Sequence, residues 1–239
     1  MIKVIVSGVR GKMGDMIAKL VCEQADMKLV GAIERQGHVS IGVDAGEKAG
    51  YRKIGIQISE RLDEIIGSGE VIIEFTNPET TIDHLEIAAL NHKAIVIGTT
   101  GLNETQVARI KELSAAIPIV FAPNMSIGVN LLFKLVGEVA RVLGDDYEVE
   151  IIEAHHHHKK DAPSGTALKL GKVIAANLNR DFEQVVVYGR QGQIGERKKD
   201  EIGIFAVRMG DVVGEHTVIF GGEGERIEIT HRAHSRLTF

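Results

Sequence analysis

Lys3-Val4-Ile5-Val6-Ser7 runs directly into Gly8-Val9-Arg10-Gly11-Lys12-Met13-Gly14. The first five residues are a short, largely β-branched run, the composition of a strand. Met13, Ile17, Leu20 and Val21 then recur at helical spacing. A glycine-rich turn between strand and helix is a phosphate-binding arrangement. Glycines let the backbone approach a pyrophosphate, and the helix N-terminus offers amide donors and the positive end of a dipole. The next strand, Lys28–Ile33, ends at Glu34-Arg35. A carboxylate there suits the adenosine ribose hydroxyls, and a guanidinium beside it suits a 2′-phosphate. The pair therefore points to use of both NAD and NADP. The spacing G-x-x-G-x-x-G is less distinctive than G-x-G-x-x-G, and an ordinary βα turn with a surface Glu-Arg pair is the competing reading.

Working outward, the first half alternates strand and helix. Val71–Phe75 is apolar apart from Glu74, and a helix through Ile82, Leu85 and Ala89 follows. Ala94–Gly98 and Pro118–Phe121 are further strands, and Asn103 with Gln106 reads as a capping box between them. Val129, Leu132, Phe133, Val136, Ala140 and Leu143 make one helical stripe. Nearly continuous apolar strands separated by helices predict an α/β, Rossmann-type parallel sheet covered on both faces. Gly98-Thr99-Thr100-Gly101 and Ala122-Pro123-Asn124-Met125 each follow a strand. In such a sheet they line the ligand crevice at the strands' carboxyl ends.

The pattern changes after about residue 145. Tyr147–Ala154 reads as a strand and Ala167–Leu178 as a helix. Strands at Gln184–Tyr188, Ile202–Arg208, His216–Phe220 and Arg226–His231 then follow without helices, a second α+β domain with a mixed or antiparallel sheet. The division is expected as 1–126 for dinucleotide binding and 127–239 for substrate binding and oligomerisation. Gly189–Glu201 is a glycine- and charge-rich loop, long enough to be functional or mobile. Ile202, Ile204 and Ala206 lie on one side of their strand, and Gly203, Phe205, Val207 and Met209 on the other. Both sides are apolar. Two helices can cover one face, and the other calls for a second copy of the chain.

The 239 residues are 44% apolar and 26% charged, the balance of a globular protein. Lys and Arg number 28 against 33 Asp and Glu, a net charge of −5, so nothing advertises nucleic acid. Aromatics at 4% with no Trp argue against base-stacking platforms. The one cysteine, Cys22, excludes an internal disulfide and fits a reducing cytoplasm. The uncharged stretch 113–133 is broken by Pro118, Pro123 and Asn124, so no membrane span is expected.

The chemistry is expected at Glu153-Ala154-His155-His156-His157-His158-Lys159-Lys160-Asp161-Ala162-Pro163-Ser164-Gly165-Thr166-Ala167. Histidine and lysine beside a helix start suit an acidic substrate. Helix amides grip a carboxylate, and His and Lys supply charge and protons. A metal site and a solvated basic loop are the alternatives. Consecutive histidines at a strand end cannot all face one ion, and no cysteine completes a set, so no metal is expected. His84, His92, His216 and His231 stand outside the motif and read as structural.

These residues, with EFTNP at 74–78, GTTG at 98–101, APNMSIGVN at 122–130 and GDVVGEHTVIFGGEGERIEITHRAHSR at 210–236, resemble the 4-hydroxy-tetrahydrodipicolinate (dihydrodipicolinate) reductase family end to end. The resemblance implies a two-domain, cytoplasmic NADH- or NADPH-dependent reductase of lysine and diaminopimelate synthesis, a homotetramer acting on a cyclic dicarboxylate. It implies His155 as acid/base, Lys159 as proton donor, and His156, Gly165 and Thr166 as substrate carboxylate ligands. Gly8, Val9, Arg10, Gly11, Lys12, Met13, Glu34, Arg35, Gly98, Thr99, Thr100, Ala122, Pro123, Asn124 and Met125 are implied as cofactor contacts. Hydride addition to a conjugated imine, after loss of water, and closure of the two domains are implied with them. Family members continue past the position of Phe239 through a further helical segment packed on the nucleotide domain, so the stability of that domain is open.

Overall fold

The computed structural model describes residues 1–238, in two compact units that divide between Pro123 and Asn124. The first unit runs β1 (Ile2–Ser7), α1 (Lys12–Glu23), β2 (Met27–Ile33), α2 (Ala45–Lys48), β3 (Ile58–Ser59), α3 (Leu62–Ile65), β4 (Val71–Glu74), α4 (Pro78–Leu90), β5 (Ala94–Ile97), α5 (Glu104–Leu113) and β6 (Ile119–Phe121). Its sheet has the order β3-β2-β1-β4-β5-β6, and every neighbouring pair is parallel. The order reverses between β1 and β4, which opens a crevice at their carboxyl ends. Both faces are covered, as the continuous apolar runs require. Val4 and Val6 pack with Ala18 and Val21 of α1, whereas Ile5 faces Leu85 of α4 and Ile110 of α5.

The expected capping box is present, with Asn103 and Gln106 each accepting the other's backbone amide. Beyond the Glu34-Arg35 pair, the region between β2 and β4 carried no expected strand or helix. It holds a two-residue strand and two four-residue helices, each too short to show a periodicity.

The second unit begins with α6 (Ile127–Leu143), then β7 (Glu148–His155), α7 (Gly165–Asn177), α8 (Phe182–Val185), β8 (Val186–Tyr188), β9 (Ile202–Arg208), β10 (Gly214–Gly221) and β11 (Arg226–Ala233). Its sheet order is β11-β10-β7-β9-β8. β7, β9 and β8 are parallel, and β10 and β11 antiparallel, so the sheet is mixed. The expected strand Gln184–Tyr188 is half helix. The Asp181 side chain caps the Glu183 amide, and Phe182 and Val185 bury themselves on the face of α8.

Val149, Ile151, Ile202, Ile204, Val218 and Phe220 point inward against α6 and α7. On the outer face Phe205 is half-buried, while Ile152 and Val207 are 40% and 39% exposed. The loop from Gly189 to Glu201 is pinned to that outer face. Arg190 pairs with Glu150 and Glu201 and stacks over Phe205, and Arg197 pairs with Glu148 and Glu150. Glu150 lies so close over Gly203 that a Cβ there would meet its carboxylate at 1.8 Å. Among the described residues no helix is long and apolar enough to cross a membrane.

The glycine turn fixes how α1 meets β1. A Cβ on Gly14 would stand 2.0 Å from the Gly8 carbonyl oxygen, and both are held by main chain. Gly14→Ala is expected to destabilise the protein by about 1–3 kcal/mol in urea unfolding. Gly67→Ala, whose methyl would meet open space, is expected to stay within about 0.5 kcal/mol of the parent.

Candidate functional site

In the first unit, the crevice is built by strand-end loops. Gly8 takes φ +74, and a Cβ there would meet the Phe75 carbonyl oxygen at 2.5 Å, so the turn is possible only for glycine. The Gly8 and Val9 amides both donate to the Ile33 carbonyl, which ties the turn to the end of β2. Glu34 closes the arrangement: one carboxylate oxygen accepts the Arg10 amide at 2.9 Å and the other the Arg35 amide at 3.0 Å. Arg35 is exposed beside it, and Arg10 is paired with Asp15.

Among the described helices of eight residues or more, α1 alone has no side-chain cap, because Gly11 has no side chain to offer. Its N-terminal amides are therefore left for an external anion. A cavity of about 440 Å³, lined by Gln36, Arg61, Leu62, His84 and Ile87 among others, lies a short step along the chain from Glu34. The other two loops are tied to the same sheet edge. The Gly98 amide donates to the Glu74 carbonyl and the Ala122 amide to the Ile97 carbonyl, while Thr99 accepts the Thr76 amide. Gly8 to Met13, Glu34, Arg35, Gly98 to Thr100, Ala122 and Pro123 thus share one end of one sheet. The naked helix end, the close-packed glycines and the acid after β2 fit a dinucleotide.

In the second unit, the histidine motif leaves the end of β7 and enters α7. Glu153 faces inward and is fully buried. Its carboxylate accepts His155 Nδ1 at 2.6 Å, both terminal nitrogens of Arg208 at 2.8 Å, and the Ser164 amide at 2.9 Å. Burial by itself favours the neutral carboxyl. The His155, Arg208 and Ser164 hydrogen bonds outweigh it and hold the group down at about 2. Glu153 thereby sets the orientation of His155: Nδ1 is engaged, and Nε2 is left for exchange.

His216 stands opposite Glu153 on β10, edge-on to His155 with ring centroids 5.2 Å apart. Its Nε2 lies 3.0 Å from the hydroxyl of Ser164, the residue that caps α7. Burial pushes His216 down to about 3, with His155 adding to the effect, so it is neutral near pH 7.

The loop itself is braced. The His156 amide donates to the Val212 carbonyl, and Arg208 reaches the Asp161 carbonyl. Lys159 is paired with Asp161 at 2.8 Å, and Arg236 approaches His156 Nε2 at 3.2 Å. His157 and His158 are exposed and lie against each other, away from His155. Asn124 donates to the Thr166 hydroxyl at 3.4 Å, which joins one expected cofactor residue to one expected substrate residue. Met125 lies in the same segment, just before α6. His155, His156, Lys159, Gly165 and Thr166 are thus gathered around the start of α7. Arg208, Arg236 and the buried pair Glu153 and His216 were not singled out as site residues from sequence. No group of three or more His, Cys, Asp or Glu among the described residues is arranged to hold a metal ion.

A dinucleotide crevice on one unit and a basic, histidine-bearing cluster at a helix start on the other define a two-unit, nucleotide-dependent oxidoreductase. The chain belongs to the dihydrodipicolinate reductase family, whose N-terminal model matches residues 2–125 and whose C-terminal model matches residues 128–239. Relatives named 4-hydroxy-tetrahydrodipicolinate reductase are 52% identical in Syntrophus aciditrophicus (strain SB) and 50% identical in Geotalea uraniireducens (strain Rf4). Both align with all of this chain, which covers 89% and 90% of their lengths. A solved dipicolinate-bound dihydrodipicolinate reductase from Paenisporosarcina sp. TG-14 superposes with a TM-score of 0.74 at 27% identity, covering 100% of this chain and 90% of that one. GenD2 from gentamicin A biosynthesis, in complex with NAD, shares the fold at 14% identity with a TM-score of 0.60, covering 96% and 72%.

The two depressed groups make stability acid-sensitive. His216 titrates near 6.5 when unfolded and about 3 when folded. Between those values the unfolded chain takes up a proton that the folded chain refuses, so stability falls as pH drops below 6.5. Glu153 does the same between 4.5 and about 2. Urea midpoints should be flat in this respect above pH 6.5. Below it they should decline by up to about 3 kcal/mol of stability by pH 4.5, and His216→Gln should flatten that upper part of the decline.

Proposed function

We propose that the chain reduces 4-hydroxy-tetrahydrodipicolinate to tetrahydrodipicolinate, with loss of water, by a division of labour between its two units. The observation that carries the assignment of roles is the Glu153 carboxylate, which holds His155 by its Nδ1 beside the α7 N-terminus. NADH or NADPH, when bound, supplies a hydride. Gly8 to Met13 hold the pyrophosphate, Glu34 the adenosine ribose, and Arg35 the 2′-phosphate of NADPH. Gly98, Thr99, Thr100, Ala122, Pro123, Asn124 and Met125 line the nicotinamide end.

The amides of Gly165 and Thr166, with His156 and Arg236, grip one carboxylate of the cyclic dicarboxylate. Reduction of a conjugated imine leaves negative charge spread toward the ring nitrogen. His155 stabilises that charge through Nε2, and Lys159, oriented by Asp161, returns a proton. Residues 127–239 serve substrate binding and assembly. The half-exposed outer face with Phe205, Val207 and Ile152 supports sheet-on-sheet packing of two copies within a homotetramer. A monomer mass by light scattering would overturn that assembly. A lone cysteine supports a cytoplasmic setting.

His155→Ala and Lys159→Ala should each lower turnover by roughly 10²–10⁴-fold. Calorimetric affinity for NADH should stay near that of the parent, and its parallel loss would contradict the roles given. Arg35→Ala should weaken NADPH by about 1.5–3 kcal/mol and leave NADH unchanged, since only the 2′-phosphate loses a charged partner.

A further inference from the structure

The first unit holds, at the end of a core strand, a fully buried carboxylate that the proposed reaction does not use. Glu74 ends β4 at the point where the strand order reverses, in register with Ser7 of β1 and Ile97 of β5, and is fully buried. Its Oε2 lies 2.6 Å from His84 Nδ1, which also lies 3.1 Å from the Ser7 hydroxyl. Oε1 accepts the Thr76 hydroxyl. No lysine or arginine forms an ion pair with Glu74 among the described residues. The sheet has no packing need for a charge there. An isolated buried charge is costly, and an apolar residue of similar volume is often neutral or stabilising at such positions.

What the pair touches suggests its use. Thr76 donates its amide to the Thr99 hydroxyl oxygen at 3.1 Å, and Thr81 of α4 donates to the same oxygen at 2.8 Å. Thr99 belongs to the loop assigned above to the nicotinamide end. His84, at the other side of the carboxylate, forms part of the wall of the 440 Å³ cavity near Glu34. One buried carboxylate thus reaches, through Thr76, a loop at one end of the crevice and, through His84, the cavity at the other.

We propose that Glu74 and His84 form a positioning pair that holds both ends of the dinucleotide crevice in binding geometry. The proposal rests on the cofactor reading given above. Glu74→Gln keeps the shape and removes the charge, and His84→Gln keeps a polar group and removes the ring. Each is expected to raise the Kd for NADH by about ten- to a hundredfold in calorimetry. The double variant should be no worse than the weaker single, because the two residues act as a unit. Melting temperature and the KM for the dicarboxylate, whose proposed ligands lie in the other unit, should hold. Rescue of NADH affinity by Glu74→Asp would support the pair, since a carboxylate remains. Unchanged NADH affinity in both single variants would overturn it. So would additive losses that track a falling melting temperature, the mark of a scaffold role alone. If the unaltered chain bound neither NADH nor NADPH, the cofactor reading itself would fall, a result distinct from loss confined to the variants.

Discussion

A carboxylate sealed inside a protein must be met by donors on every side, and Glu153 shows what that requirement organises. The group is removed from water at the end of an otherwise apolar strand face. Its charge is sustained by a bidentate arginine from β9, an imidazole two residues along its own strand and the first amide of a helix. Deleting any one donor leaves part of a buried charge unmet, which is dearer than the bond itself is strong. The strand end, the arginine, the helix start and the histidine are therefore located by one another. The basic cluster inherits its geometry from that mutual constraint.

Legibility in the sequence followed element length and locality. The parallel sheet was readable because strands buried on both faces are written as unbroken apolar runs, as in Val4-Ile5-Val6 and Ile95-Val96-Ile97. The stretch around Ile58 was not, since a two-residue strand and four-residue helices leave no period to detect. At residues 184–185, side-chain apolarity suits strand and helix equally, and a local cap at Asp181 decides for helix. The motif from Glu153 to Thr166 could be placed at a strand end and a helix start, but its partners could not. Arg208 and His216 reach it from other strands, 55 and 52 residues away from their contacts. One signal was available. Val149, Ile151 and Glu153 share a side of β7, and a charge on the inward side of an alternating strand announces a buried partner. Glu74, ending an apolar run, carries the same mark.

The two fully buried carboxylates, Glu74 and Glu153, solve the same problem differently. Glu153 has a permanent cation in Arg208 beside the His155 imidazole and the Ser164 amide. Glu74 has only an imidazole and hydroxyls. The first arrangement spreads the support of the carboxylate over an arginine, a histidine and a backbone amide. The second makes carboxylate and histidine depend on each other, which suits a fixed part of the crevice better than a group that turns over with each reaction.

The connection from β8 to β9 joins two parallel neighbours, a crossover that most sheets make with a helix. Here it is the loop through Gly189 to Glu201, held by Arg190 and Arg197 to Glu150, whose carboxylate lies in the space that Gly203 leaves open. A helix on that side would have added a third layer and set any neighbour a full helix diameter away. Because an arginine-pinned strap takes its place, the second unit is a two-layer structure with a thin outer skin. The missing side chain of one glycine thus makes room for the carboxylate that anchors the strap.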